Sequence, residues 1–335
     1  MGKTPQEEIA DVSHFLGPSG ADHGGSRPEV SFSASSRPAS SPVWAYLALA
    51  AAMILWSATF VLMKVVLTAY HPFAMVFVRM VVGMLLLAPF SLRLWSNVRY
   101  TKGDWKPLLL LVLAEPCMYF MFEGYALRYT SASEAAMIIS LLPLFVGVGA
   151  FVFLRERLSL MVWVGFFTAV AGVGVLTFGG KPTEASPNPL LGNLLEVGAA
   201  LMASGYVLCV RKLAGFPAFC IVAFQSLAGA VFFGVLSFAV PGAGIPESPE
   251  LVPTIMLVGL GFISVFGYGF FNLGVARLSA GQASAWNNLI PGITLIMGMV
   301  LLGERFTLIQ YLALVPIFLG VGLSQLGTAK TGGDG

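Results

Sequence analysis

Glu115 stands directly before Pro116 inside a long apolar run, Glu123 follows two turns later with Tyr119 between them, and Arg79 interrupts an earlier apolar run. In lipid such residues need a reason, because a charge at mid-bilayer costs at least ~2.5–3.5 kcal/mol on insertion scales. A carboxyl held in apolar surroundings is a usable proton carrier, which makes Glu115 the candidate for proton coupling. Glu123 is expected instead to form a structural ion pair with Arg79. A second set is uncharged. Ser140 and Asn288 each stand three residues before a proline, Pro143 and Pro291, and a proline leaves a helix carbonyl without its N–H partner. With Trp286 as a stacking face, Asn287 as an amide and Tyr119 beside the acids, they form the expected substrate-binding set. Asn287 and Asn288 could equally serve as hydrogen-bonding glue between helices, and both readings stay open.

The other polar residues have structural explanations. Ser131-x-x-Glu134 and Ser279-x-x-Gln282 have the spacing of capping boxes, so Glu134 is expected to cap a helix. Glu156 and Glu304 fall in tight turns, where a carboxylate favours the N-terminus of the next helix. Lys64 stands near a helix end and can snorkel, with carboxylate binding as its alternative role. Glu196, near the start of its apolar run, is expected at the interface. His14 and His23 read as solvated. Cys117, Cys209 and Cys220 show no Cys-x-x-Cys or His pairing, so they are expected as small buried side chains, with no disulfide and no metal site. No His-Glu-x-x-His, Gly-x-Ser-x-Gly or Asp-rich metal motif occurs, so no catalytic residue, no cofactor and no enzyme is expected.

The elements that must position these residues follow from composition. The chain is 57% hydrophobic and 10% charged, with a mean hydropathy of +0.85. Soluble domains carry about 25% charged residues, so a soluble enzyme, a disordered regulator and a nucleic-acid binder are all excluded. The partner is the lipid bilayer. Residues 1–43 are rich in Ser, Pro and acids without a long apolar run, and are expected to form a disordered tail rather than a signal peptide. A helix needs about 20 apolar residues to cross the hydrocarbon. Breaks at Gly, Pro and charge clusters give ten spans, at about 44–67, 72–94, 106–127, 131–154, 158–179, 190–210, 217–240, 252–275, 279–302 and 306–327. With the loops assigned to alternate sides, thirteen of the 18 Lys and Arg share the side of the N-terminal tail and three lie opposite. The positive-inside rule then places both termini in the cytoplasm, in a multi-pass protein of a plasma or inner membrane.

The sequence also repeats itself. Leu154-Arg-Glu156-Arg157-Leu-Ser-Leu160 reappears as Leu302-Gly-Glu304-Arg305-Phe-Thr-Leu308, 148 residues later. At the same offset Gly172, Val173, Gly174 and Gly179 match Gly320, Val321, Gly322 and Gly327, while Ser131, Ala132, Ala135, Leu141 and Pro143 match Ser279, Ala280, Ala283, Leu289 and Pro291. One repeat holds five spans, and an odd number makes the second copy enter the membrane from the opposite face. The expected fold is therefore all-α and polytopic, with ten transmembrane helices in two inverted five-helix repeats. Its parts are a cytoplasmic tail at 1–43, repeats at 44–180 and 190–327, and a cytoplasmic C-terminal tail at 328–335. Inverted repeats place a transport site near the midplane. At ~1.5 Å per residue, Ser140 and Asn288 both reach roughly 15 Å into a ~30 Å core.

The doubled Leu-x-Glu-Arg turns and Gly-Val-Gly helices, with Trp56-Ser-Ala-Thr-Phe60 leading to Lys64, resemble the EamA family of the drug/metabolite transporter superfamily over residues 44 to 327. The resemblance implies a ten-helix carrier of small metabolites, often an exporter of amino acids or related compounds, and leaves the substrate unnamed. The N-terminal tail is outside the family pattern. The expected function is a secondary transporter working by alternating access, as a monomer or homodimer, with proton coupling as an option. A membrane receptor or regulator on the same scaffold is the alternative, and an intramembrane enzyme a weaker one. A phosphate-ester carrier is disfavoured, because phosphate demands several midplane Lys or Arg residues.

Overall fold

The computed structural model describes residues 42–331 apart from 91, 92, 94, 95, 97, 155–157, 185, 214, 279–282, 284 and 285. All but the last two residues of the expected N-terminal tail lie outside the described residues, as do Glu156 and the ends of the second capping box, Ser279 and Gln282. Among the described residues all regular structure is helical. The helices are α1 (Pro42–Val66), α2 (Pro72–Leu87), α3 (Trp105–Val112), α4 (Tyr119–Tyr129), α5 (Ala132–Ile139), α6 (Leu142–Leu154), α7 (Leu160–Gly179), α8 (Pro189–Lys212), α9 (Ala218–Ala239), α10 (Leu251–Val275), α11 (Leu289–Leu301) and α12 (Leu308–Thr331). Among the described residues eight helical stretches are long and apolar enough to cross a membrane, and two shorter apolar ones, Trp286–Leu301 and Leu308–Ser324, follow. Their outward faces are apolar: Phe178 is 81% exposed and Phe238 76%, a cost in water and none in hydrocarbon.

Three of the expected spans are interrupted, each at a proline. Between α3 and α4 the backbone widens into a single broad turn, Leu113–Met118, in which Glu115 leaves helical geometry altogether (φ −148°, ψ 116°) ahead of Pro116. α5 ends at Ile139 and α6 begins at Leu142 with Pro143 in its first turn, the position where a missing N–H costs least. The third break is its repeat counterpart, a single 3-10 turn at Trp286–Asn288 leading into α11 with Pro291 in its first turn. The spans expected over 106–127 and 131–154 are present as helical stretches that carry internal breaks, and the described part of 279–302 carries one at Trp286–Asn288, since proline can neither donate its bond nor clear the preceding turn.

Five connections gather at one end of the bundle. Lys64 Nζ, at the end of α1, donates to the carbonyls of Leu127 (2.5 Å) and Thr130 (2.6 Å) at the end of α4. Asn188 N donates to Tyr129 O (3.1 Å), the Thr307 hydroxyl reaches Gly179 O (3.4 Å), and Tyr70 and Thr254 share a hydroxyl bond of 2.7 Å. The loops after α1, α4, α7, α9 and α11 therefore lie together, which requires successive spans to alternate in direction.

α7 and α12 pack along a seam of small residues. Gly165 sits against Gly320 and Ser324, Gly172 against Pro316 and Ile317, and Gly179 against Ile309. The falling numbers on α12 against rising ones on α7 make the pair antiparallel. The contacts also exchange under the 148-residue offset: Gly172 meets Ile317, and their counterparts Gly320 and Ala169 meet in turn. Small residues let the backbones approach where lipid supplies no hydrophobic drive. Around this seam Met137, Ile138, Leu144, Leu176, Ala313 and Val321 form one core cluster, separate from the larger cluster of the main bundle.

Candidate functional site

A cavity opens in the main bundle where the broken spans meet. It is walled by Trp56, Thr59 and Phe60 of α1, Arg79 of α2, Glu115 of the broad turn, Tyr119, Phe120 and Glu123 of α4, Ile139 and Leu142 flanking the second break, Ala203, Tyr206 and Val207 of α8, Tyr268 and Phe271 of α10, and Asn287 and Ile290 at the third break. Five pairs of these stand 148 residues apart: Thr59 with Val207, Phe120 with Tyr268, Glu123 with Phe271, Ile139 with Asn287, and Leu142 with Ile290. The cavity is thus built from equivalent places in both halves of the chain.

Its polar groups are held by aromatic ones. Tyr268 donates its hydroxyl to Glu115 Oε1, which leaving helical geometry aims across the bundle. Tyr119 donates to Glu123 Oε1 (2.5 Å), one turn along α4. Tyr206 donates to Asn272 Oδ1 (2.7 Å). The Trp56 ring meets Tyr268 edge-on at 5.2 Å and Phe271 at 4.9 Å. Arg79 is buried, bonds through Nε to Ser264 Oγ, and lies with its guanidinium carbon 4.4 Å from the Phe120 ring centre, a cation–π contact. Trp56 Nε1 and Glu123 Oε2 have no hydrogen-bond partner.

Of the residues expected from the sequence, Tyr119, Asn287, Glu115, Arg79 and Glu123 line this cavity. Arg79 and Glu123 do not bond to each other: the guanidinium is taken up by Ser264, Met63 and Phe120, and the carboxylate by Tyr119. Ser140, Trp286 and Asn288 lie off the cavity wall. Ser140 ends α5 and turns its hydroxyl onto Met137 O (2.6 Å). Trp286 stacks on Tyr46 at 5.9 Å. At the 3-10 turn, it is Asn287 that is fully buried toward the cavity, while Asn288 is half-buried beside it. A break in a helix changes the angle between neighbours, so equal depth no longer means equal facing. Sequence reasoning missed Tyr206 and Tyr268. Both stand beside glycine in mid-span, Gly205 and Gly267, and a phenol there needs a polar partner, which was the available signal.

A second polar cluster closes the end where the five connections meet. Gly303, in the left-handed region (φ 67°), terminates α11, and Leu302 N and Glu304 N both turn back onto Gly298 O. This swings Glu304 across to cap α5. Its carboxylate accepts from Ala132 N (2.8 Å), Ser133 N (3.1 Å) and the Ser133 hydroxyl (2.5 Å). Glu134 forms the expected capping box with Ser131 and also accepts from Thr130 Oγ1 (2.8 Å), Ser186 Oγ (3.2 Å) and Gln310 Nε2 (2.7 Å). Nearby, His71 caps α2 by accepting from Phe73 N at its Nδ1 (3.2 Å). Partial burial, helped by Arg128, holds this imidazole below its ordinary value, consistent with an acceptor nitrogen.

Glu196, expected near the start of its span, is fully buried among the helices, and neither carboxyl oxygen has a hydrogen-bond partner. Cys117, Cys209 and Cys220 are buried and free, as expected.

Alternating apolar helices, small-residue seams and a cavity shared between two similar halves fit a multi-pass membrane protein. The chain matches the EamA-like transporter family twice, over residues 43–178 and 190–325, and belongs to it. Among curated relatives it is 25% identical over 285 residues to the uncharacterized transporter YetK of Bacillus subtilis, covering 83% of this chain and 85% of the relative. It is 27% identical over 296 residues to the uncharacterized transporter YcxC of the same organism, covering 85% and 94%. An uncharacterized transporter of Archaeoglobus fulgidus is 24% identical over 265 residues, covering 78% and 90%. A crystal structure aligns with a TM-score of 0.62 at 22% identity, over 87% of this chain and 99% of the other, and shares the fold.

Proposed function

We propose that the chain is a secondary transporter that exports a small organic metabolite such as an amino acid, by alternating access around the cavity, with Glu115 as the proton-coupling carboxyl. It consists of ten spans in two inverted repeats, 44–180 and 190–327, with both termini in the cytoplasm. The exchange of contacts across the α7–α12 seam and the paired cavity residues support the inversion. The polar cluster at the gathered loops would then seal the outer side.

The observation that carries the substrate reading is the pair of unmet groups in the cavity. Trp56 Nε1 is a donor without an acceptor, and Glu123 Oε2 an acceptor without a donor. Buried groups of this kind cost roughly 1–3 kcal/mol each when unpaired. A ligand carrying both an acceptor and a donor, such as a carboxylate and an ammonium group, would satisfy both at once. The aromatic rings would face its side chain. Of the sequence-derived binding set, Tyr119 and Asn287 keep direct roles, while Ser140, Trp286 and Asn288 support the breaks behind the wall. A thermal-shift screen of the purified protein against amino acids, organic cations and nucleosides tests this, since a ligand that binds the folded state stabilises it. Amino acids raising the unfolding temperature, with the shift lost in Trp56→Phe and Glu123→Gln, are expected. Stabilisation by nucleosides alone would overturn the assignment.

A further inference from the structure

Glu196 lies on α8 against α4. Gly192 of α8 packs on Tyr129 and Thr130 at one level, and Gly198 packs on the Phe122 ring at another. The antiparallel register between these two contacts brings Glu196 opposite the turn that carries Glu123. The charges of Glu196 and Glu123 act on each other, and that of Glu196 on Tyr119. Three of the four carboxyl oxygens in this pair, both of Glu196 and Oε2 of Glu123, have no hydrogen-bond partner. The fourth is occupied by Tyr119.

Two buried carboxylates with three unmet oxygens between them, packed across one helix seam, would bear both desolvation and mutual repulsion. We propose that Glu196 and Glu123 form a proton-binding site distinct from Glu115, reaching from the cavity wall at Glu123 into the α4–α8 seam behind it, in which the pair takes up a proton from the bath and holds it between α4 and α8. The proposal rests on the carrier reading only for its use in transport. Uptake converts one carboxylate to a carboxylic acid and removes one negative charge from the seam. Release returns that proton and restores the repulsion.

The surroundings make the site sensitive to this one event. The titratable groups acting on Glu196 are Glu123 and Tyr119 of α4. On the α4 side the Arg79 guanidinium of α2 acts on Glu123 as its counter-charge and Lys64 of α1 holds the helix end; α5 contributes Glu134 at the capped end, the broad turn Glu115 and Cys117, α10 Tyr268 and α3 Lys106, while α6 and α7 contain no acid or base. One turn from Glu196 on the same helix, Asn193 Oδ1 lies 2.6 Å from Thr130 Oγ1, the hydroxyl shared with Glu134. A change of charge in the pair therefore acts on the α4–α8 contact beside the cluster that closes the end of the bundle. Loading of the pair stabilises that contact, and emptying it loosens it.

Infrared difference spectroscopy of the full-length protein in phosphatidylcholine vesicles tests this, with the bath switched between alkaline and acid and no substrate added. The expected result is a protonated-carboxyl band that is lost in Glu196→Gln and shifted in Glu123→Gln. A band unchanged in both variants would overturn the proposal. If Glu196→Gln does not fold, Glu196→Asp keeps the acid one methylene shorter, and an unmoved band in that variant would overturn it equally. The readout needs no transport, so a failed transport assay with a sensitive band would count against the carrier reading alone.

Discussion

At the gathered helix ends Glu304 accepts from two backbone N–H groups and a hydroxyl, and Glu134 from three hydroxyls and two amides. In the bundle Glu123 accepts from one phenol and leaves an oxygen unmet, and Glu196 accepts from nothing. All four are buried glutamates. What separates them is the supply of donors. A helix N-terminus offers free N–H groups that a carboxylate can satisfy, whereas mid-helix every backbone donor is already spent. Acids at the ends can therefore hold structure together, while acids in mid-span are left with unmet capacity that a ligand or proton can use.

The contrast can be broken most forcefully at Glu304. Glu304→Ala strands two buried N–H groups and a hydroxyl at the start of α5, and should cost about 2–4 kcal/mol, seen as a clear fall in unfolding temperature in detergent. If it unfolds like wild type, the end cluster is not a structural clamp. Glu123→Gln should do the reverse. The amide oxygen can still accept from Tyr119 and no charge remains to bury, so stability should stay within about 0.5 kcal/mol of wild type, while substrate counterflow in proteoliposomes falls. A large loss of stability would place Glu123 with the clamping acids.

The smallest effect is expected at His71, outside the spans. Its imidazole caps α2 as an acceptor and sits below the ordinary histidine value of 6.5. The unfolded chain then binds a proton more readily than the folded one, so stability should decline as pH falls through that ordinary value and level off below the folded one. His71→Asn, which caps without titrating, should remove this part of the pH dependence in thermal unfolding. An unchanged acid limb would mean that the cap contributes nothing.

The same donor logic explains what could be read from the sequence. Apolar runs and their breaks placed the helices because hydropathy and proline act locally, and Ser131-x-x-Glu134 announced its own cap. Glu115, Glu123, Arg79, Tyr119 and Asn287 were legible as unusual residues at depth. Their partners were not, because facing depends on how broken helices tilt. Arg79 went to Ser264 and the Phe120 ring rather than to Glu123, and Ser140 turned back onto its own helix. The burial of Glu196 was not legible for a related reason: position along a helix gives depth, but not whether a neighbour such as α4 covers the side chain.

The assignment of Glu115 is the most exposed to test. Purified wild type and Glu115→Gln, reconstituted in proteoliposomes with a ligand found by thermal shift, should be compared for counterflow across pH. If Glu115 is the coupling carboxyl, the variant folds and binds but loses the pH dependence of transport. Transport by Glu115→Gln with the pH dependence of wild type would contradict it.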